Sequence, residues 1–143
     1  IAYAGGDDDP KDGDAGTFQT LFPTNHLHYG YADLTAWSNI LDLRIGVSAR
    51  PSARVKVTLD YHHLRLIEEG DAWYNAAGAV VRTGAPGASS HLGDEIDLTV
   101  VWNPRPALEV LLGYSIFFPG GFVDDTGADP IAHFLYLQAM LKF

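Results

Sequence analysis

The sequence predicts an all-β fold, a transmembrane antiparallel β-barrel of which this 143-residue chain forms a C-terminal segment of five to six strands. Three observations predict it. Several segments alternate between apolar and polar residues, one face of each segment carries no charge, and short connections alternate with long ones. A membrane strand needs only about 9–11 residues, so alternation of this length is enough to cross a bilayer.

Composition limits the classes of protein to consider. The chain is 47% hydrophobic, which is too apolar for a disordered segment. Nine basic against eighteen acidic residues give a net charge of −9, whereas a nucleic-acid binder needs a basic surface. Cysteine is absent, which excludes a disulfide scaffold and thiolate metal ligands. No apolar run reaches the roughly 18 residues of a membrane helix. The chain begins with Ile1 and no signal peptide, as expected of a mature or truncated product.

The end of the chain carries the clearest pattern. Leu135, Leu137 and Leu141 alternate with the polar or amphipathic Tyr136 and Gln138. A period of two is typical of a strand with two different faces, whereas a helix would scatter the polar residues around its surface. The pattern predicts a strand over about residues 131–143.

The same alternation predicts strands at about 39–50, 53–66, 92–103 and 107–118, with a short one at 1–5. One face of the five long strands is apolar throughout, so we expect it to meet lipid. This predicted outer face consists of Leu41, Leu43, Ile45, Val47, Ala49, Val55, Val57, Leu59, Tyr61, Ile96, Leu98, Val100, Trp102, Leu108, Val110, Leu112, Tyr114, Ile116, Leu135, Leu137, Ala139, Leu141 and Phe143.

The connections predict the topology. Pro51-Ser52-Ala53 and Pro104-Arg105-Pro106 are predicted tight turns, because proline presets the turn dihedral. Three-residue turns would place Arg44 opposite Asp60 and Trp102 opposite Leu108.

The long loops at 6–38, 67–91 and 119–130 all fall at the other end of the strands. Outer-membrane barrels combine short periplasmic turns with long external loops, and soluble β-sandwiches do not sort their loops in this way. We therefore expect the bacterial outer membrane, external long loops and a C-terminus on the periplasmic side.

The predicted number of strands is too small for a closed barrel, whose smallest single-chain form has about 8. We therefore expect further strands elsewhere in the protein, or a barrel assembled from several chains.

The polar face of the strands is the predicted lumen lining. Arg44, Arg50, Arg54 and Lys56 form a basic cluster on one hairpin, which favours an anion-attracting wall. The alternative is a salt-bridged lumen, in which Asp60 neutralises Arg44. The charged residues predicted to line the lumen are Asp42, Arg44, Arg50, Arg54, Lys56, Asp60, Glu95, Asp97, Glu109 and Lys142.

The first long loop is rich in aspartate. Clustered carboxylates favour Ca²⁺, although a solvated acidic loop and no cofactor is the simpler interpretation, and Pro10 does not fit an EF-hand. The candidate residues of this external cation loop are Asp7, Asp8, Asp9, Asp12 and Asp14.

The histidines predict neither a metal centre nor an enzyme. His26 with His28, and His62 with His63, form pairs that lack a third ligand at metal spacing. Ser38, His62 and Asp60 could be parts of a hydrolase, but no G-x-S-x-G context accompanies them. We expect no catalysis.

Aromatic residues in the long loops leave two interpretations open. Trp37, Trp73 and Tyr74 could stack on sugar rings, or they could pack the loops and the membrane interface.

Three segments resemble the alginate-export family of outer-membrane β-barrel proteins. They are GTFQTLFPTNHLHYGYADLTAWSNILDLRIG, DAWYNAAGAVVR and LGDEIDLTV, and the resemblance runs from GGDDDP to the terminal Phe143. It implies a large monomeric barrel embedded in outer-membrane lipid, acting as a passive channel for anionic polysaccharide such as alginate, with periplasmic export components as possible partners. The best-known exporters have arginine-lined conduits, whereas the polar face here carries as many acidic as basic residues. A general or other-substrate porin, and a structural or adhesive barrel, are the alternatives.

Overall fold

The computed structural model describes residues 1–22 and 28–143. Residues 23–27, which include His26 and part of the LFPTNH segment, lie outside the described residues. The elements in chain order are β1 (Ala2–Ala4), β2 (Ile40–Ser52), β3 (Val55–Arg65), β4 (Trp73–Tyr74), β5 (Val80–Arg82), β6 (His91–Arg105), β7 (Leu108–Pro119), α1 (Gly121–Thr126) and β8 (Ala132–Leu141).

One antiparallel sheet dominates the structure. Its six strands follow the order β1-β2-β3-β6-β7-β8, which confirms the predicted all-β fold. β4 and β5 form a separate two-stranded hairpin within the connection between β3 and β6. The helix α1 lies in the connection between β7 and β8. In the described parts of the chain, no helix has the length and apolar character needed to cross a membrane.

The register of the first tight hairpin differs from the prediction by two residues. Arg44 lies opposite His62, and Asp60 lies opposite Gly46. The turn residues are Ala53 and Arg54 rather than 51–53, and the register shifts between Ala49 and Ser52. Arg50 and Pro51 therefore occupy a bulge. Proline cannot donate a ladder hydrogen bond, and a bulge tolerates that loss.

The second tight hairpin repeats this arrangement. Trp102 pairs with Val110 rather than Leu108, the turn lies at 106–107, and the register shifts between Trp102 and Arg105. Pro104 falls in this shift, as Pro51 does in the first hairpin. A displacement of two residues preserves the alternation of side chains, so the two faces of the sheet are unaffected.

The predicted apolar face is the outer face of the sheet. None of its residues is buried, from Leu41 on β2 to Phe143. Leu43 is 38% exposed, Leu98 42% and Leu137 73%. In a protein that stays in water, an apolar surface of this extent would mark an interaction site or an aggregation hazard. Lipid is the solvent that this face suits.

The buried apolar core lies at the long-loop end of the sheet, on the opposite face. Trp73 from the β4–β5 hairpin stacks on Phe117 of β7, with ring centroids 6.2 Å apart. Phe122 and Val123 of α1 are buried in the same cluster. The long connections thus fold back over the inner side of the sheet. The buried members are Ala4, Ile40, Leu64, Leu66, Trp73, Leu92, Phe117, Phe122 and Val123.

Asn39 joins two of the long connections immediately before β2. Its backbone adopts a φ of 49°, a conformation that asparagine tolerates better than most residues, and its side chain is fully buried. The side-chain amide donates to the carbonyls of Glu68 and Ala72, at 2.9 and 3.1 Å. Its oxygen accepts from the backbone N–H groups of Ile67 and Glu68. The connection before β2 is therefore held against the one after β3.

Candidate transport path on the inner face of the sheet

The inner face carries most of the charged residues expected to line a lumen, but it buries most of the acidic ones. Asp42, Asp60, Glu95 and Asp97 are each at most 5% exposed. Buried carboxylates are costly unless paired or hydrogen-bonded, so their partners determine what the wall presents.

Asp60 is paired with Arg44. The Nε atom of Arg44 lies 3.0 Å from Oδ1 of Asp60. Asp60 lies flat across Gly46, the residue opposite it on β2, where any side chain would collide with the carboxylate. The pair therefore links β2 to β3 diagonally, and Arg44 retains an exposed surface.

His62 is buried between two further carboxylates. Its Nδ1 lies 2.9 Å from Oδ2 of Asp42, and its Nε2 lies 3.6 Å from Oδ2 of Asp97. The hydrolase set considered from the sequence is not assembled, because the ring contacts these two aspartates while Asp60 pairs with Arg44. The imidazole instead bridges three neighbouring strands.

Glu95 and Asp97 are covered by the connection between β1 and β2. The backbone N–H of Ala32 donates to Oε1 of Glu95 at 3.0 Å, and that of Tyr31 donates to Oδ2 of Asp97 at 3.3 Å. The hydroxyl of Ser115 on β7 donates to Oδ1 of Asp97. Both carboxylates are thereby withdrawn from the surface of the wall.

The basic residues have the opposite exposure. Arg50, Arg54 and Lys56 are exposed near the tight turn of the β2–β3 hairpin. A groove of about 380 Å³ runs along this wall, with Arg44 and Lys56 among its lining residues. At the same end of the sheet, Lys142 lies 3.7 Å from the half-buried Glu109. The accessible surface of the inner face is therefore richer in cations than the residue count indicates.

The aspartate-rich loop is ordered by its own carboxylates. Asp7 is buried and accepts hydrogen bonds from the backbone N–H groups of Asp9 and Gly16, both at 3.1 Å. Asp9 and Asp12 each accept from the N–H two residues ahead, and Asp8 is exposed. The contacts made two residues ahead are turn contacts, whereas the one from Gly16 spans nine residues. Calcium binding by this loop stays a prediction.

The fold brings together His63, His91 and Asp94, a cluster that the sequence pattern does not predict. Nδ1 of His63 and Nε2 of His91 lie 2.8 and 3.2 Å from the two oxygens of Asp94, and the hydroxyl of Tyr61 donates to the same carboxylate at 2.6 Å. The three possible ligand atoms are within 4.8 Å of one another. The two imidazoles are stacked with an interplanar angle of 22°. An imidazole nitrogen binds a metal in the plane of its ring. The two stacked rings would therefore have to rotate before they could share a metal.

A bulge in β6 brings His91 and Asp94 to the same face of the sheet. Residues three apart on a regular strand point to opposite faces, so His91 and Asp94 would be separated. The register shifts between Leu64 and Arg65 on β3, leaving Leu92 as the extra residue on β6. Gly93, with a φ of 158°, adjoins this bulge and was the available signal.

The loop aromatics make packing contacts. Trp37 donates from Nε1 to the carbonyl of Tyr3 at 3.0 Å and stacks on Tyr29, with ring centroids 6.0 Å apart. Trp73 is buried against Phe117. These side chains hold the long connections in place.

The described residues thus form an open antiparallel sheet with an apolar outer face and a charged inner face. The sequence profile of the "Alginate export" family matches residues 1–134. The chain belongs to the alginate export family. No curated protein and no solved structure matches it.

Membership of the alginate export family gives the inner face its functional setting. The family consists of outer-membrane proteins that act in polysaccharide export, and it is a family of transporters rather than enzymes. The match covers every strand of the sheet except β8, of which it includes only residues 132–134.

Proposed function

We propose that this protein is a passive outer-membrane conduit for anionic polysaccharide such as alginate, and that the inner face of the sheet lines its pore. The described sheet is open, with β1 and β8 as its edges. Unpaired backbone groups at such edges cost several kcal/mol each in lipid. We propose that further strands pair with both edges and close the barrel.

The exposure of charges on the inner face is the observation that carries the proposal. Its cations are accessible, whereas four of its carboxylates are buried and engaged by Arg44, His62, Ser115 and backbone N–H groups. Fixed charges in a narrow passage with low-dielectric walls are screened less than charges on an open surface. A polyuronate chain would therefore meet a wall of effectively positive character.

The position of the cations suits the direction of export. Arg50, Arg54 and Lys56 lie near the tight turns, at the end of the sheet where β8 finishes. We propose that this end faces the periplasm, with the C-terminus on the same side. An exported polyanion arriving there, or handed over by periplasmic export components, would encounter these residues first.

The test is a planar-bilayer recording of the complete protein with Arg50, Arg54 and Lys56 all replaced by Gln. We expect anion-over-cation permeability to fall severalfold and the block of current by added polyuronate to weaken, because the accessible fixed charges are removed.

The matched control compares two single variants, each of which removes one exposed cation. Arg54→Gln removes one near the tight turns, and Arg65→Gln removes one far from them. Arg65 is an exposed cation at the loop end of β3, remote from the tight turns. Its replacement should leave selectivity unchanged. Wild-type selectivity in the triple variant would overturn the export assignment, and ion conduction without any effect of polyuronate would favour a general porin.

A further inference from the structure

The connection between β1 and β2 does not remain at the long-loop end. Its residues 29–33, called here the inward turn, descend along the inner face of the sheet. They reach Asp97, six residues beyond the start of β6 at His91. At about 3.3 Å per residue, this is roughly 20 Å along the strand.

Two backbone N–H groups attach the inward turn to the wall. They belong to Tyr31 and Ala32, and they donate to Asp97 and Glu95 across sequence separations of 66 and 63 residues. In both contacts a backbone N–H donates to a carboxyl oxygen, which is a good hydrogen-bond acceptor. Glu95 and Asp97 are 0% and 1% exposed beneath the turn.

Gly30 is the residue that permits this close approach. Its φ is +98°, a conformation that residues with a side chain rarely adopt. A Cβ atom at this position would lie 2.5 Å from Oε1 of Glu95. Any other residue here would push the turn away from the carboxylate.

Tyr31 gives the inward turn a second attachment. Its ring stacks on Tyr136 of β8, with centroids 5.2 Å apart and an interplanar angle of 8°. Tyr136 itself lies over Gly113, the residue opposite it on β7, where a side chain would collide with the ring. The absence of a side chain on β7 therefore creates a flat platform for the turn.

We infer that the inward turn is the constriction and selectivity element of the conduit. It narrows the passage midway along the strands, and it makes the passage selective for polyanions by covering Glu95 and Asp97. Without it, two carboxylates would face the path of a polyuronate and oppose its entry. This inference rests on the proposed function, since it concerns the same passage.

The experiment compares Gly30→Val with Gly13→Val in planar bilayers, using the complete protein and KCl gradients. Gly13 lies in the same connection and has a similar φ of +94°, but an added Cβ would meet nothing within 4 Å. We expect Gly30→Val to raise single-channel conductance and lower the anion-over-cation permeability ratio severalfold. Gly13→Val should behave as wild type.

Combining substitutions tests whether the covered carboxylates cause the loss of anion selectivity that we expect in Gly30→Val. Glu95→Gln/Asp97→Asn should change selectivity little in the wild-type background, where the turn already covers both groups. In the Gly30→Val background, the same pair should restore much of the lost anion preference. Equal effects in the two backgrounds would overturn the charge-covering role.

Tyr31→Ala gives an independent test if Gly30→Val does not assemble. It removes a loop side chain and the stacking on Tyr136 while leaving every strand intact, so we expect a change in the same direction. Wild-type conductance and selectivity in Tyr31→Ala, or in an assembled Gly30→Val, would overturn the constriction. The Arg50/Arg54/Lys56 variant tests the proposed function separately from the constriction, because it leaves the inward turn untouched.

Discussion

Two glycines on the inner wall allow larger side chains on the neighbouring strands to lie flat. Gly46 faces Asp60 and Gly113 faces Tyr136, and in both cases an added Cβ would overlap the side chain across the strand. Glycine normally weakens a strand and often marks a close approach of another group. Gly46 leaves room for Asp60 to pair with Arg44, and Gly113 leaves room for Tyr136 to stack on Tyr31.

Replacing Asp60 with Asn tests how the Arg44–Asp60 pair contributes to the charge of the inner face. The amide has nearly the shape of the carboxylate and fits over Gly46, but the negative charge beside the Nε atom of Arg44 is removed. We expect anion-over-cation permeability to rise, as measured from the reversal potential in a salt gradient. Glu109→Gln is the control, because Glu109 lies 3.7 Å from the largely exposed Lys142 and water screens that pair strongly. An unchanged reversal potential in Asp60→Asn would show that Arg44 does not face the passage.

At the scale of elements, the strands and the long connections rest on different interactions. The strands are joined by hydrogen-bonded ladders that bulges interrupt in three pairings, with their apolar side chains directed outward. The connections are held by a small apolar core and by buried polar residues such as Asn39 and Asp71. Changes to the outer face should therefore affect membrane insertion, whereas changes to the buried polar residues should loosen the loops.

Leu98→Arg tests the outer face at the middle of β6. An arginine facing the bilayer midplane costs about 2–4 kcal/mol, and the cost falls to about 0–1 kcal/mol near the interface. Leu98 is exposed at the centre of its strand. Leu108→Arg, at the tight-turn end of β7, is the matched control and should cost less. The measurement is urea-dependent unfolding from lipid vesicles, and equal costs at the two positions would contradict the assigned depth.

Asp71 predicts an acid-sensitive docking of the loops. Burial acts to raise the pKa of this carboxyl, but hydrogen bonds from Thr17, the N–H of Asp7, Tyr74 and the N–H of Ala72 outweigh it and lower the pKa below its ordinary value. A carboxyl whose pKa is lower in the folded state contributes stability above its unfolded pKa of about 4 and loses it as pH falls through the folded pKa. The loops should therefore loosen only in strong acid.

The buried Trp73 reports this transition through its fluorescence, in a variant with Trp37 and Trp102 replaced by Phe. Asp71→Asn should weaken loop docking at neutral pH by about 1–3 kcal/mol, because an amide cannot accept all four hydrogen bonds. The signal of that variant should also no longer change with pH in the range where Asp71 titrates. If Asp71→Asn showed the same acid transition as the parent variant that keeps Asp71, the transition would belong to another titrating group.

For the whole molecule, the sheet separates its surroundings into an outer apolar surface, an inner charged surface and two unlike ends. The tight turns at 53–54 and 106–107 lie at one end. The long connections, with the exposed Asp8, Asp9 and Asp12 in the first and Asp124 and Asp125 in the last, lie at the other. Because the two ends of the sheet differ in this way, we expect the protein to adopt a single orientation in the membrane, with each end facing a different compartment.

Cysteine labelling of intact cells tests that orientation, because the chain has no cysteine of its own. Pro86→Cys introduces a thiol at an exposed position in the connection between β3 and β6, and Ala53→Cys introduces one in the tight turn. We expect a membrane-impermeant maleimide to label the first in intact cells and the second only after the outer membrane is permeabilised. The reverse pattern would show that the long loops face the periplasm.

The sheet, its two faces and the end at which each connection lies follow directly from the pattern of residues along the chain. Alternation has a period of two on every strand, so the separation of Leu43 and Ile45 from Asp42 and Arg44 does not depend on which strand lies alongside. The same independence explains why a two-residue error in register left the faces correct.

The register, the exposure of the charges and the course of the first long connection depend on contacts that the pattern does not encode. The prolines at the ends of β2 and β6 move into bulges, a local choice that alternation does not encode. The burial of Glu95 and Asp97 depends on backbone N–H groups more than 60 residues earlier in the chain. A count of acidic and basic residues gives equal weight to every charge, whereas the folded wall covers the carboxylates and leaves the cations accessible, because exposure depends on contacts between distant segments.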